Sequence, residues 1–193
     1  MSDLKKCIAS QKKPGVVTTC EGRLSYAQYL FRPNKEAVTK DGKPKHTLSF
    51  LIPPGSDVSA LEAVVQAAID SKWPVGSKDR PRKPKLPLLD AGEKMGDEWE
   101  GWTLLRLSTT KKPVVVEADM SPADEADVYS GRWARVSVNA KDYDVDGNKG
   151  ATLYLNNVQL LRHDDPIGGG ASKAENDFEA IDVPASDAGS VFD

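Results

Sequence analysis

Cysteine, histidine and aromatic residues are scarce in this 193-residue chain: two cysteines, two histidines, and 7% aromatic side chains. Cys7 and Cys20 are too few for a disulfide framework and do not stand in CxxC spacing, so two reduced thiols are expected. No ligand spacing links them to His46 or His163, and no metal site is expected. No apolar run approaches the ~18 residues of a membrane span. Lys5, Lys6, Lys12 and Lys13 are followed by no apolar stretch of signal-peptide length, which points to a cytoplasmic protein. The chain also lacks a GxxxxGK(S/T) phosphate loop, a GxGxxG turn after a strand, an HExxH helix and a GxSxG elbow. Without catalytic residues or a cofactor motif, an enzyme is not expected. Hydrophobic residues make up 39%, below the ~45–50% of a compact domain, so part of the chain lies outside any core.

What is present is an uneven distribution of charge. The net charge of -3 conceals a body, residues 1–163, with 25 bases and 21 acids, and a segment from Asp164 onward with eight acids and one lysine. A body of +4 joined to a segment of -7 can attract phosphate with one part and repel it with the other. Glycines 168–170, small and acidic residues, and isolated hydrophobes mark that segment as unable to offset its ordering entropy. The organisation expected is a flexible basic arm over residues 1–15, a folded domain over 16–166, and a disordered acidic tail over 167–193.

The body reads mainly as strands. Residues 18–31 alternate with period two, placing Cys20, Leu24, Tyr26 and Leu30 on one face and Arg23, Ser25, Tyr29 and Phe31 on the other. Residues 46–52 alternate again, with Leu48, Phe50 and Ile52 inward. Residues 56–72 form the one clear helix: Val58, Leu61, Val64, Val65, Ala68 and Ile69 make an apolar stripe, and Ser59 with Glu62 has capping-box spacing. A proline-broken basic loop follows, with Lys78, Arg80, Arg82, Lys83 and Lys85 available either as solvated surface or as phosphate contacts. Residues 103–109 and 114–119 are two short strands, and 123–129 a helical turn. Residues 132–162 form a hairpin about Asp146-Gly147, a dipeptide suited to tight positive-φ turns.

The hairpin carries the sharpest signal. Ala134, Val136, Val138 and Ala140 share one face, while Trp133, Arg135, Ser137, Asn139, Lys141 and Tyr143 share the other. Aromatics interleaved with cations suit single-stranded nucleic acid, whose bases stack and whose phosphates attract positive charge. The same aromatics could pack beneath a neighbouring loop. Tyr154 and Asn156 stand on the opposing strand, where a phase shift between Leu155 and Val158 predicts a bulge. A curved, bulged, mainly β chain with one helix between strands suggests a five-stranded antiparallel Greek-key OB barrel. Asp142, Asp144, Asp146 and Gly147 match the opening of a calcium loop, but its twelfth position is Leu153 in place of a bidentate Glu, and the flanks read as strands.

Residues 24–33 (LSYAQYLFRP), 42–52 (GKPKHTLSFLI), 131–143 (GRWARVSVNAKDY) and 150–166 (GATLYLNNVQLLRHDDP) resemble the phage-encoded single-stranded DNA-binding proteins of the OB fold. The resemblance spans residues 16–193 and implies sequence-tolerant binding that protects single strands in phage DNA replication and recombination, in the host cytoplasm, without catalysis, cofactor or metal. It implies a DNA-binding set of Tyr26, Tyr29, Phe31, Arg32, Lys43 and Lys45, in addition to Trp133, Arg135, Lys141 and Tyr143; Arg23 and Tyr154, from the strand faces, complete the expected set. It also implies that the tail competes with DNA and docks replication partners such as a polymerase, helicase or primase, through Asp182, Asp187, Phe192 and Asp193. The contrasting expectation is a non-catalytic OB-type protein-interaction or virion structural module.

Overall fold

The computed structural model of the chain describes residues 4–168. Ten strands pair within it: β1 Ile8–Ala9, β2 Val16–Thr18, β3 Gly22–Ser25, β4 Asn34–Val38, β5 Pro44–Ile52, β6 Leu88–Asp90, β7 Thr103–Thr109, β8 Val114–Val116, β9 Trp133–Val145 and β10 Asn148–Leu160. Helix α1 covers Ser59–Lys72 and the short α2 covers Ala91–Met95. None of the described helices is long and apolar enough to cross a membrane.

The mainly β expectation holds, and the topology is richer than five antiparallel strands. Pairing passes from β9 to β3, β5, β7 and β10, and β10 pairs again with β9. Two of the pairings, β7 with β10 and β8 with β10, are parallel. Short strands β1, β2, β4, β6 and β8 extend this arrangement at its margins. They are two to five residues long; β8 falls within the strand read over 114–119, and the others are too short for period-two alternation to reveal from sequence.

The core lies where the strand alternation predicts. Leu48, Phe50 and Ile52 of β5, Leu105 and Leu107 of β7, Val136 and Val138 of β9, and Leu153 and Leu155 of β10 are all buried, each apolar side chain contributing about 1.5–3 kcal/mol when withdrawn from water. Helix α1 adds Leu61, Val65 and Ile69 to the same cluster, closed by Trp73. Its first turn departs from the capping-box expectation: Val58 occupies the cap without a side-chain bond, and the Asp57 carboxylate accepts the Ser59 N–H at 3.0 Å. The Asp57 carboxyl is consequently held below its ordinary pKa, mainly by Ser59.

The strand read over 18–31 stops early. Tyr26 adopts φ 56°, which turns the chain out of β3 into a 3-10 helix over Ala27–Leu30. Tyr26 therefore does not share the inward face of Leu24 and Leu30; it is 59% exposed. The hairpin reading holds in detail: Asp146 and Gly147 both have positive φ between Val145 and Asn148, and the register slips between Leu155 and Asn157, leaving Asn156 as the bulge.

Both ends of the described chain are tied down. In the segment read as a flexible arm, β1 pairs with β2 and Cys7 is buried. At the other end, residues 162–168 form a strap over β9 and the β3 edge. The Trp133 N–H donates to Arg162 O at 3.1 Å and the Ile167 N–H to Ser130 O at 2.9 Å. Gly131 makes the crossing possible, since a Cβ there would stand 2.4 Å from Asp165 O. Nearly all of the region read as an acidic tail, residues 169–193 with Asp182, Asp187, Phe192 and Asp193, lies outside the described residues.

Candidate nucleic-acid interface

Three neighbouring strands, β5, β7 and β10, turn small polar side chains outward between their buried apolar ones. Thr47 of β5 lies opposite Ser108 of β7, and Ser108 lies opposite Tyr154 of β10, forming one row across the sheet. One step along, Ser49 lies opposite Arg106 and Ser25 opposite Ser49. With strands ~4.8 Å apart, the Thr47–Ser108–Tyr154 row spans about 10 Å. A floor of serine and threonine lets a planar or charged ligand approach the backbone closely.

Two adjoining clefts stand over this floor. The first, about 470 Å³, is walled by Tyr26, Tyr29, Asn34 and Glu36. The second, about 620 Å³, is walled by Lys40, Lys45, Leu86, Leu89, Tyr143 and Tyr154. Arg106, Ser108 and Thr152 line both, so the clefts form one groove with Arg106 at its junction. Arg106 is exposed and has no hydrogen-bond, ion-pair or ring partner among the described residues. It sits between tyrosines at either end, and Lys141 adds a cation 6.0 Å from the Tyr154 ring.

The aromatic wall at the first cleft is held by the local fold. The left-handed turn at Tyr26 and the following 3-10 helix bring Tyr26 and Tyr29 to the rim. Buried His46 of β5 fixes this turn, its Nδ1 lying 3.1 Å from the Tyr29 carbonyl, an arrangement that requires the proton on Nδ1. At the second cleft, the wall is attached through Gly150: Lys85 pairs with it, donating its N–H to Lys149 O and accepting the Ala151 N–H, both at 3.0 Å.

Of the residues expected from the sequence, Tyr26, Tyr29, Lys45, Tyr143 and Tyr154 meet at the groove, with Lys141 above Tyr154. Lys43 occupies the β4–β5 turn, its N–H bound to Thr39 Oγ1 at 3.1 Å. Lys78, Arg82 and Lys83 are exposed on the loop leading to the second cleft, and the Lys85 ammonium donates to Asn148 Oδ1 at 2.7 Å. Others are committed elsewhere. Arg80 binds Asp70 Oδ1 at 2.6 Å and the Trp73 carbonyl, which closes α1 and holds the Asp70 carboxyl below its ordinary pKa. Phe31 packs partly against the core beneath Lys112, 5.4 Å away. Arg32 pairs with Glu125 at 3.8 Å. Arg135 donates to Gln159 Oε1 at 2.7 Å.

Trp133 occupies the opposite end of β9 from Tyr143. Ten residues of strand separate them, about 33 Å. The Arg162 guanidinium lies 3.9 Å over the Trp133 ring, Arg23 lies 6.0 Å from it, and Nε1 donates to Asp164 Oδ2 at 2.6 Å. That hydrogen bond is the main reason the Asp164 carboxyl is held below its ordinary pKa. Arg23 completes the clasp, binding Gly131 O at 3.0 Å and Asp164 at 3.6 Å. Trp133 thus packs under the strap, the alternative reading of its parity. Sequence reasoning missed Arg106 and Lys40; Arg106 stands between Leu105 and Leu107, and the alternation of β7 was the signal that would have turned it outward.

Residues 15–188 match the model of the family described as Enterobacter phage Enc34, ssDNA-binding protein. The chain belongs to this family. The resemblance read from its motifs is therefore borne out. Protein p50 of Acyrthosiphon pisum secondary endosymbiont phage 1 is 28% identical over 173 residues, 83% of this chain and 91% of p50. The single-stranded DNA-binding protein from bacteriophage Enc34, solved in complex with ssDNA, shares the fold at TM-score 0.67 and 18% identity, covering 87% of this chain and 97% of that one. gp2.5, the single-stranded DNA-binding protein encoded by bacteriophage T7, shares it at TM-score 0.59 and 14% identity, over 86% of this chain and 99% of gp2.5.

Proposed function

We propose that this Enc34-family protein binds single-stranded DNA, with little sequence preference, along the groove over β5, β7 and β10. The observation that carries this reading is Arg106, a cation with no partner among the described residues, on a serine- and threonine-lined floor between two tyrosine-walled clefts. A phosphate supplies the negative charge Arg106 lacks, and bases offer faces to Tyr26, Tyr29, Tyr143 and Tyr154; stacking of this kind tolerates any base. The match to a family of single-stranded DNA-binding proteins supports binding as the role of the groove. The order β9-β3-β5-β7-β10 with its parallel β7–β10 pair supports an OB-type domain over residues 16–166. In a phage-infected cell such a protein protects exposed strands during replication or recombination. The acidic segment beyond Gly168 competes with DNA and, through Phe192, engages replication proteins.

The test is titration of a short oligothymidylate into the full chain, read by quenching of tyrosine and tryptophan fluorescence at several salt concentrations. Affinity should fall with salt at a log-log slope of about 0.7 per phosphate contacted. Arg106→Ala should lower both affinity and slope. Wild-type affinity and slope in Arg106→Ala would place the DNA elsewhere, and absence of any binding at low salt would remove the function itself.

A further inference from the structure

Away from the groove, the core holds two nucleophilic side chains that DNA binding does not use. Cys7 and Cys20 are each 1% exposed, and both are free thiols. Their sulfurs are 3.5 Å apart, the Cys7 S–H directed at Cys20 Sγ, while the Cys20 backbone N–H donates to Cys7 Sγ at 3.2 Å. Backbone bonds fix both partners: the Cys7 N–H donates to Asp57 O at 2.9 Å and the Glu21 N–H to Leu4 O at 2.7 Å. A disulfide has sulfurs about 2.0 Å apart, so bonding requires an approach of about 1.5 Å between side chains already in contact.

We propose that Cys7 and Cys20 form a modification site, a dithiol that hydrogen peroxide converts to an intramolecular disulfide, fastening residues 4–9 to the β2–β3 connection. Cys20 is the thiol that reacts first: the Cys7 S–H points at its sulfur and this hydrogen bond lowers its pKa against the opposing effect of burial, while the pairing with Cys20 and burial raise that of Cys7. The Cys20 thiolate attacks one peroxide oxygen, the O–O bond breaks, and the departing hydroxide takes up the thiol proton as water. The Cys7 sulfur then attacks Cys20 Sγ; the S–S bond forms, the S–O bond breaks, and the Cys7 proton leaves with hydroxide as a second water. Two thiols lose two electrons, and one peroxide becomes two waters. The route for the oxidant is the sheet margin, where the two-residue strand β1 pairs only with β2, and margins of this kind open locally far below the cost of global unfolding.

Full-length protein treated with hydrogen peroxide and analysed without reductant should lose the mass of two hydrogen atoms per chain. Trypsin, cutting after Lys12, should then release Cys7 and Cys20 peptides joined to each other. The melting temperature should rise by roughly 5–10 °C and return with dithiothreitol. Cys7→Ala should stop at a Cys20 sulfenic acid trapped by dimedone. Unchanged wild-type mass, oxygen gained without a cross-link, or a disulfide between two chains would each overturn the proposal, and these wild-type readings decide it even if the variant does not fold.

Discussion

Arg106 and Trp133 illustrate how position decides between binding and packing for residues of similar promise. Arg106 has no partner among the described residues, so its removal leaves the folded chain intact and takes one cation from the groove. Arg106→Ala should keep the unfolding free energy within about 0.5 kcal/mol of wild type, as exposed substitutions do, and should reduce the salt slope by about 0.7. Tyr154→Ala should weaken oligothymidylate binding by roughly 1–3 kcal/mol, measured in the same titration. Trp133→Ala should do the reverse, costing roughly 1–3 kcal/mol of stability with little direct effect on binding, because Arg162, Arg23 and Asp164 already occupy its surroundings. An unfolding curve beside a binding curve distinguishes the two; a specific binding defect in a stable Trp133→Ala protein would return this side chain to the DNA path. Parity along β9 correctly separated inward from outward residues. It carried no information about what else crosses the outward face, since the strap arrives from some thirty residues further along the chain.

At the scale of elements, long ones were legible and short ones were not. Helix α1 and the β9–β10 hairpin announced themselves through periodicity and the Asp146-Gly147 turn, whereas β1, β4 and β6 exist through pairing with neighbours. The left-handed break at Tyr26 was equally hidden, because a tyrosine at positive φ has no compositional signature. Two junctions test the assembly. Gly150 admits Lys85 so closely that a Cβ would stand 2.2 Å from the Lys85 carbonyl oxygen; Gly150→Ala should therefore cost about 1–3 kcal/mol or more and free the basic loop, seen as faster tryptic cleavage after Arg82 and Lys85. The strap has an acid limit. Asp164 has its folded pKa depressed below the ordinary 3.8, so its contribution is complete above the unfolded value and is lost as pH falls through the lower, folded value. Tryptophan fluorescence should stay native through pH 5 and change only below the ordinary aspartate range, while Asp164→Asn should remove that step. A transition between pH 5 and 7 would assign strap release to another group.

Over the whole molecule, the decisive property is a charge partition that the net value conceals. The body supplies Arg106, Lys40, Lys45 and Lys141 around one groove, and residues 169–193 carry six acids and one lysine. The described chain ends beside that groove: Ile167 and Gly168 share a cleft with Tyr26, which also walls the first cleft of the groove. On the proposed reading, an acidic segment attached there would be a tethered ligand at an effective concentration on the order of millimolar, which phosphate would have to displace. Deleting residues 169–193 should consequently tighten oligothymidylate binding while leaving the melting temperature unchanged. The gain should be largest at low salt, where charges interact over about 30 Å at 0.01 M against about 10 Å at 0.1 M. Phe192→Ala removes no charge and should preserve DNA affinity while weakening capture of a replication protein. Titrations of full-length and shortened protein at both salt concentrations check the competition, and equal affinities at 0.01 M salt would show that the acidic segment does not enter the groove.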